Sequence, residues 1–324
     1  MMSARKKGRD VHGVFLLDKP PGFSSNQALQ KVRRLFDARK AGHTGTLDPF
    51  ATGMLPICLG EATKTAGLIM DGRKSYVAAL MLGNATATGD TEGEVVKTLS
   101  VPELSPAAIE TAMAKFRGKL NQVPPMYSAI KQDGKPLYEL ARQGIVVERK
   151  ARQVEIFQLD LISWQSPFLG FSVVCSKGTY IRTLAEDLAQ KLGCCGHLRA
   201  LRRNWAEPFD KHHMYTLDDL EQAMLRRESE PFLLSADAGL PDWPVVVLQA
   251  DEVGRFMQGN TVDLPEKRHT ESGKVRVYGK EDATPISILG LGEVRSELLG
   301  PGKLHPIRVF AAGVSIRPEV PTGS

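Results

Sequence analysis

The chain has 324 residues, a formal net charge of +5 and a hydrophobic content of 42%, which suits one large or two smaller globular domains. It contains no run of about 18 uncharged apolar residues, so no membrane-spanning helix is expected. The basic start MMSARKKGRDVHG lacks the apolar stretch of a secretory signal. Cys58, Cys175, Cys194 and Cys195 show no CxxC or disulfide-like spacing, which points to the reducing cytoplasm and to inert thiols rather than zinc ligands.

VFLLDK, residues 14–19, is expected to be a short buried strand ended by Pro20-Pro21-Gly22. Ser24 or Ser25 then caps a helix whose apolar stripe is Ala28, Leu29, Val32, Leu35 and Phe36. A loop over 41–53 precedes the apolar run MLPICLG, and SYVAALMLG (75–83) is a further strand. Ser105-Pro106 opens a helix that Gly118 stops. QVPPMYSAIKQDGKPLYELARQG reads as an extended segment, a turn at Asp133-Gly134 and a short helix stopped by Gly144. VEIFQLDLI (154–162) and FSVVCSKG (171–178) are strands, 179–193 is a helix, and HLRALRR (197–203) is a strand with an edge blurred by Asn204-Trp205. Thr216 opens another helix, with Asp219 completing a capping pattern. After Asp242-Trp243-Pro244 come short strands separated by Gly-rich or charged turns, with one small helix near 252–258. That pattern belongs to a β-barrel-like unit of about 70–80 residues.

Basic residues fall in four groups: Arg5, Lys6, Lys7 and Arg9; Lys31, Arg33, Arg34, Arg39 and Lys40; Arg149, Lys150 and Arg152; and Arg199, Arg202 and Arg203. Each is either a solvated face or, if the fold brings them together, a track for a phosphate backbone.

The stretch GHTGTLDPFATG, residues 42–53, places one carboxylate, Asp48, among glycines and threonines. An aspartyl-phosphate nucleophile needs metal ligands, commonly a second carboxylate two residues on, and position 50 is Phe. A Walker-type phosphate cradle needs Gly-Lys-Ser/Thr, and no lysine is present. Taken alone, the aspartate also fits a residue that caps local backbone N–H groups.

The wider chain resembles the TruB-type pseudouridine synthases. The resemblance rests on LLDKPPGFSSNQAL (16–29), AGHTGTLDPFATGMLPICLGEATK (41–64) and MYSAIKQDGKPLYELARQG (126–144), then CSKGTYIRTLAEDLAQKLG (175–193) and HLRALRR (197–203). It implies an α+β core, a pseudouridine synthase fold with a mixed, largely antiparallel sheet flanked by helices, over residues 1–243. A small PUA-like β-barrel domain over 244–315 and a tail over 316–324 complete the expected organisation.

The implied activity is isomerisation of uridine 55 in the T-loop of tRNA, in the cytoplasm, by a monomer with no cofactor, no metal and no protein partner. The resemblance makes Asp48 the catalytic residue and Arg182 its cationic partner, because a carboxylate kept from water needs one to stay ionised. It assigns Tyr76 to stacking on an extruded base, Tyr180 to the base or to proton movement, Leu201 to an apolar wall and His43 to the T-loop. Lys19 and Lys64 are expected to brace the pocket or to meet phosphates. Two rival expectations are a guide-RNA-dependent synthase of the same superfamily and a non-catalytic tRNA-binding or folding protein.

Overall fold

The computed structural model of the chain describes residues 8–132, 134–228, 232–264, 271–280, 287–295 and 302–310. Arg5, Lys6 and Lys7 of the first basic group, Asp133 of the expected turn and the tail 316–324 lie outside the described residues.

In chain order the first half comprises β1 (Gly13–Lys19), α1 (Ser25–Leu35), β2 (Ala41–His43), β3 (Thr52–Leu59), α2 (Ala66–Ile69), β4 (Lys74–Leu82), β5 (Asn84–Thr86), β6 (Val95–Thr98), α3 (Pro106–Met113) and β7 (Gly118–Gln122). There follow β8 (Lys131–Gln132), β9 (Lys135–Pro136), α4 (Leu137–Arg142), β10 (Arg152–Gln165), β11 (Phe168–Cys175), α5 (Ile181–Lys191), β12 (Gly196–Ala206), α6 (Leu217–Arg226) and β13 (Leu233–Leu234). The last part holds β14 (Val245–Leu248), α7 (Ala250–Met257), β15 (Val262–Leu264), β16 (Gly273–Gly279), β17 (Ser287–Arg295) and β18 (Gly302–Val309).

Local signals start the helices where the sequence places them. Ser24 caps α1 through a reciprocal box with Gln27, Ser105 accepts from the Ala108 N–H at α3, and Thr216 and Asp219 form a second box at α6. Two differences stand out. The expected loop 41–53 contributes a short strand, β2, that pairs with β3 from Ala41↔Leu59 to His43↔Ile57. The strand expected to blur at Asn204-Trp205 instead runs to Ala206, absorbing the misfit in a bulge between Arg203 and Trp205.

Nine strands form one sheet in the order β13-β1-β3-β12-β4-β11-β10-β7, with β2 added beside β3. All its pairings are antiparallel except β3 with β12, so the sheet is mixed and largely antiparallel as expected. The alternation of side chains along β1 and β3 builds two cores at once. Phe15, Leu17, Leu55 and Ile57 point toward Ala28, Val32, Leu184 and Leu188 of α1 and α5. Val14, Leu16, Met54 and Cys58 point the other way, into a cluster with Phe209, Ala236, Tyr278, Leu291 and Phe310. That is why VFLLDK has no polar face to show: it is covered on both sides.

The last five strands form a second, curled sheet, β14-β16-β17-β18-β15, closed over its own core of Leu248, Phe256, Val277 and Leu304. Its junction with the large sheet is sealed by apolar packing and by buried Asp237, which accepts from the Tyr278 hydroxyl at 2.5 Å and pairs with Arg276 at 3.2 Å. The Lys64 ammonium meets Glu61 and the Val309 carbonyl (2.7 Å) at this junction. Among the described residues no helix is long and apolar enough to cross a membrane.

The parallel pair depends on one glycine. Gly53 sits opposite Arg203 with φ +98, and a Cβ there would lie 2.2 Å from the Arg203 carbonyl oxygen. Gly53→Ala is therefore expected to destabilise the chain by at least about 1–3 kcal/mol from backbone strain alone, read as a lower urea midpoint. An unchanged midpoint would mean that β12 does not need this close approach.

Candidate active site

The acid at position 48 is held by its neighbours before it meets any partner. Ser25, in the first turn of α1, donates to the Leu47 carbonyl at 2.9 Å and accepts from the Leu47 N–H at 2.7 Å. On the other side, the Pro49 carbonyl accepts from the Gly22 N–H at 2.9 Å and from the Lys19 ammonium at 3.2 Å. Leu47 and Ala51 are buried in the main core, so the loop is anchored at both shoulders and Asp48 is lifted between them.

Arg182 comes from the opposite direction, in the first turn of α5. Its Nη2 donates to Asp48 Oδ1 at 3.1 Å, and its Nε lies 2.9 Å from Oδ2, an ion contact bent outside hydrogen-bond alignment. The same guanidinium donates to the carbonyls of Thr88 and Tyr127, each at 2.7 Å, and stands 3.7 Å from the second carboxylate, Asp90. The Arg182 side chain is 4% exposed and that of Asp48 31%, so the cation is sealed in while the acid looks out into a cleft. Burial pushes the Asp48 carboxyl above the usual range, Arg182 opposes that rise, and Asp90 adds to it. Breaking a fully buried pair costs about 3–5 kcal/mol; the opening beside Asp48 reduces this.

Two clefts meet at this pair. One, of about 600 Å³, brings Asp48, Arg182, Tyr76, Tyr180 and Leu201 together. The sheet register explains the grouping. On β4 and β12, Tyr76 lies opposite Arg203 and Ala78 opposite Leu201, so the tyrosine and leucine share one wall. Tyr180 precedes α5 without a side-chain cap, and buried Gln122 takes that role by accepting from the Tyr180 N–H (2.7 Å) and donating to its carbonyl (3.0 Å). Burial raises both tyrosine hydroxyls above the ordinary phenol range. The other cleft, of about 930 Å³, runs from Asp48 and Arg182 past His43, Thr88, Glu92 and Tyr138. His43 reaches it from β2 with Nδ1 buried and unpartnered, and burial, then the Arg203 charge, lowers its pKa.

Lys19 and Lys64 fall elsewhere. Lys19 is fully buried below the loop, its ammonium donating to the carbonyls of Pro20, Phe23 and Pro49 at 2.9, 2.7 and 3.2 Å. Burial pushes its pKa down to about 8, against the pull of Asp48 and Glu92. It braces the turn that carries Asp48 and lines neither cleft. Lys64 stands at the junction with the second sheet, outside both clefts.

Most of the second basic group is spent locally: Lys31 on Glu221, Arg33 on the Ala38 carbonyl and Arg39 on Asp10. Arg152 and Arg203, from the third and fourth groups, do converge on the smaller cleft. Sequence reasoning missed Asp90, Gln122 and Ser25. Asp90 is almost fully buried with its carboxylate turned to the Thr88 hydroxyl (2.5 Å) and the Glu92 N–H (3.0 Å), an arrangement that no local pattern announces.

The two neighbours act on Asp48 in opposite senses, which fixes a pair of expectations. Carbon-13 titration of the Asp48 carboxyl should give a midpoint above that of a free aspartate. Arg182→Gln should move it higher and Asp90→Asn lower. Equal midpoints in all three proteins would mean that neither neighbour sets the charge on this acid.

Three family models match successive parts of the chain: TruB family pseudouridylate synthase (N terminal domain) over residues 33–181, tRNA pseudouridylate synthase B C-terminal domain over 182–240, and Pseudouridine synthase II TruB, C-terminal, over 244–310. The chain is 45% identical to tRNA pseudouridine synthase B of Pseudomonas putida over 313 residues, 96% of this chain and 99% of that protein. It is 46% identical to the protein of the same name from Chromobacterium violaceum, covering 96% of this chain and 98% of that one. Among solved structures it superposes on a Cbf5-Nop10-Gar1 complex with a TM-score of 0.69 at 23% identity, over 93% of this chain and 85% of the other. An H/ACA RNP bound to a substrate RNA containing 2'-deoxyuridine gives a TM-score of 0.68 at 20% identity, over 96% and 92%. These two share the fold. With the Asp48–Arg182 pair set at the meeting of two clefts and family matches spanning both sheets, the chain belongs to the TruB family of pseudouridine synthases and is an enzyme that acts on tRNA.

Proposed function

We propose that this enzyme converts the uridine at position 55 of the tRNA T-loop to pseudouridine, working in the cytoplasm as a monomer with Asp48 as its single reacting carboxylate. The observation that carries the reading is the Asp48–Arg182 contact of 2.9 Å in a cleft walled by Tyr76, Tyr180 and Leu201. The reaction breaks the bond between C1′ and N1, turns the uracil and joins C1′ to C5. The C5 proton leaves to solvent and N1 gains one, so atoms and electrons balance. Asp48 attacks C1′, adds to C6 of the base or removes the 2′ proton. Each route needs an ionised acid aimed at the nucleotide, and Arg182 supplies the charge that keeps it so.

A stacked uridine must leave its helix to reach this depth, at a cost of a few kcal/mol. Tyr76 offers a ring to stack on, Tyr180 and Leu201 the remaining walls, and His43 stands in the neighbouring cleft where the rest of the loop would lie. Shape and backbone contacts suit a folded T-arm better than a linear code. We assign residues 1–243 to catalysis and 244–315, PUA-like, to the acceptor side of the tRNA. The buried junction between the two sheets would hold that contact in register with Asp48.

The deciding assay uses the purified chain and an unmodified transcript carrying 5-tritiated uridine, without any guide RNA. Tritium release with the product mapped to position 55 is expected. No release without a guide, or a product elsewhere, would refute the assignment. Asp48→Asn should abolish release while tRNA affinity stays within a few-fold. Arg182→Lys should remain strongly impaired, because an ammonium cannot replace a planar fork that grips a carboxylate and two carbonyls together; near-normal turnover would remove the ion pair from the mechanism. The acid limb of kcat/KM should follow the Asp48 titration, so activity is lost as pH falls through that raised midpoint.

A further inference from the structure

The smaller cleft carries more positive charge than Asp48 requires. Lys74, Arg152, Lys177, Arg182 and Arg203 line it, against only Asp48 and Asp71. Asp48 is engaged by Arg182, and Asp71 by Lys177 at 2.7 Å. Among the described residues, no ion pair within 4.0 Å includes Lys74 or Arg203.

These two cations are not loose surface charges. Arg203 is 1% exposed and is the largest fully buried side chain of the described residues. Its Nε donates to the Met54 carbonyl at 2.6 Å, while Nη2 is buried with no acceptor. Lys74, also buried, donates to the Met70 and Gly72 carbonyls at 2.8 and 2.5 Å, which leaves one of its three N–H groups to give. Burial, then the nearby Arg203 charge, pushes Lys74 down to about 8. Both side chains flank Gly45: a Cβ there would stand 3.6 Å from Arg203 Nη1 and 4.0 Å from Lys74 Cε. With only a hydrogen at that position, no side chain of residue 45 stands on the cleft wall beside the two cations.

Burying a guanidinium without a counter-charge is destabilising, and an apolar side chain of like volume would avoid that cost. A planar donor set beside an ammonium is the usual receptor for phosphate oxygens. We propose that Arg203, Lys74 and the bare backbone of Gly45 form a phosphate subsite that grips one backbone phosphodiester flanking the nucleotide presented to Asp48. This rests on the reading of the chain as a tRNA pseudouridine synthase acting through Asp48. It adds a positioning role: the grip fixes the ribose relative to the carboxylate and neutralises a phosphate that would otherwise raise the Asp48 pKa further. The competing role for Arg203 is purely internal: it is the cross-strand partner of Tyr76 and hydrogen-bonds that tyrosine's side chain.

The test is a binding cycle in the full-length Asp48→Asn protein, so that no turnover intrudes. Transcripts carry one neutral methylphosphonate, at the linkage 5′ of the target uridine, at the linkage 3′ of it, or at a distant control. Arg203→Gln, Lys74→Gln and Tyr76→Phe are each added. Arg203→Gln should weaken unmodified RNA about tenfold, the size of one charge-assisted contact. Neutralising one of the two flanking linkages should weaken the parent similarly and cost Arg203→Gln little more, with Lys74→Gln behaving alike and Tyr76→Phe not.

Additive losses at both flanking linkages would overturn the subsite, as would the same coupling at the distant control. If Arg203→Gln fails to fold, the Lys74→Gln cycle is judged by the same criterion. Inorganic phosphate supplies the second arm, followed by its shifts of the Arg203 guanidinium NMR signals. Displacement by RNA supports a shared site; phosphate that stays bound alongside unmodified RNA assigns the cations to a free anion and sinks the phosphodiester. With Asp48 intact, Arg203→Gln should raise KM for tRNA more than it lowers kcat. Wild-type tritium release judges the functional reading separately, since the binding cycle needs no chemistry.

Discussion

A carboxylate set into the wall of a cleft is held by a counter-charge only if that charge cannot drift, and here it is one guanidinium fixed on four sides. Arg182 meets Asp48 and Asp90 with its charge and the carbonyls of Thr88 and Tyr127 with its hydrogen bonds. Arg182 and Asp90 act on Asp48 in opposite senses: the guanidinium lowers its pKa and the second carboxylate raises it. Burial and Asp90 push the Asp48 pKa up and Arg182 holds that rise back, so the charge on this acid is set by its surroundings rather than by its own loop.

Holding that geometry draws on most of the large sheet. Asp48 and Arg182 are separated by 134 positions in the chain. They meet because Ser25 and Lys19 fix one loop from below, while Gln122 fixes the start of α5 from β7. The parallel approach of β12 to β3 then sets Leu201 and Arg203 beside Tyr76. Packing on both faces of β1 and β3 ties this frame to the second sheet.

The same frame explains how the basic groups divide. Counted along the chain they look equivalent, yet Lys31 and Arg39 close ion pairs with Glu221 and Asp10 while Arg152 and Arg203 face a cleft. Charge density along a sequence reports solubility and average attraction; only direction separates a cation that answers a neighbouring acid from one left to answer a ligand. Lys64 makes the same point, since a lysine in the same motif as Asp48 turns out to reach a carbonyl 245 positions away.

By itself the sequence determined what depends on near neighbours: the capping boxes at Ser24 and Thr216, the Ser105-Pro106 start, the long strands and the family motifs that hold Asp48, Tyr180, Arg182 and Leu201. These are legible because a cap, a turn or an apolar alternation is satisfied within a few residues. Tertiary structure alone decided the short strands β5, β6, β13 and β15, the buried second carboxylate at Asp90, the substitute cap from Gln122 and the buried cations Arg203 and Lys74, which form no ion pair among the described residues. Each exists only because segments far apart in the chain are pressed together, and the free energy of a buried charge depends on what surrounds it rather than on what precedes it.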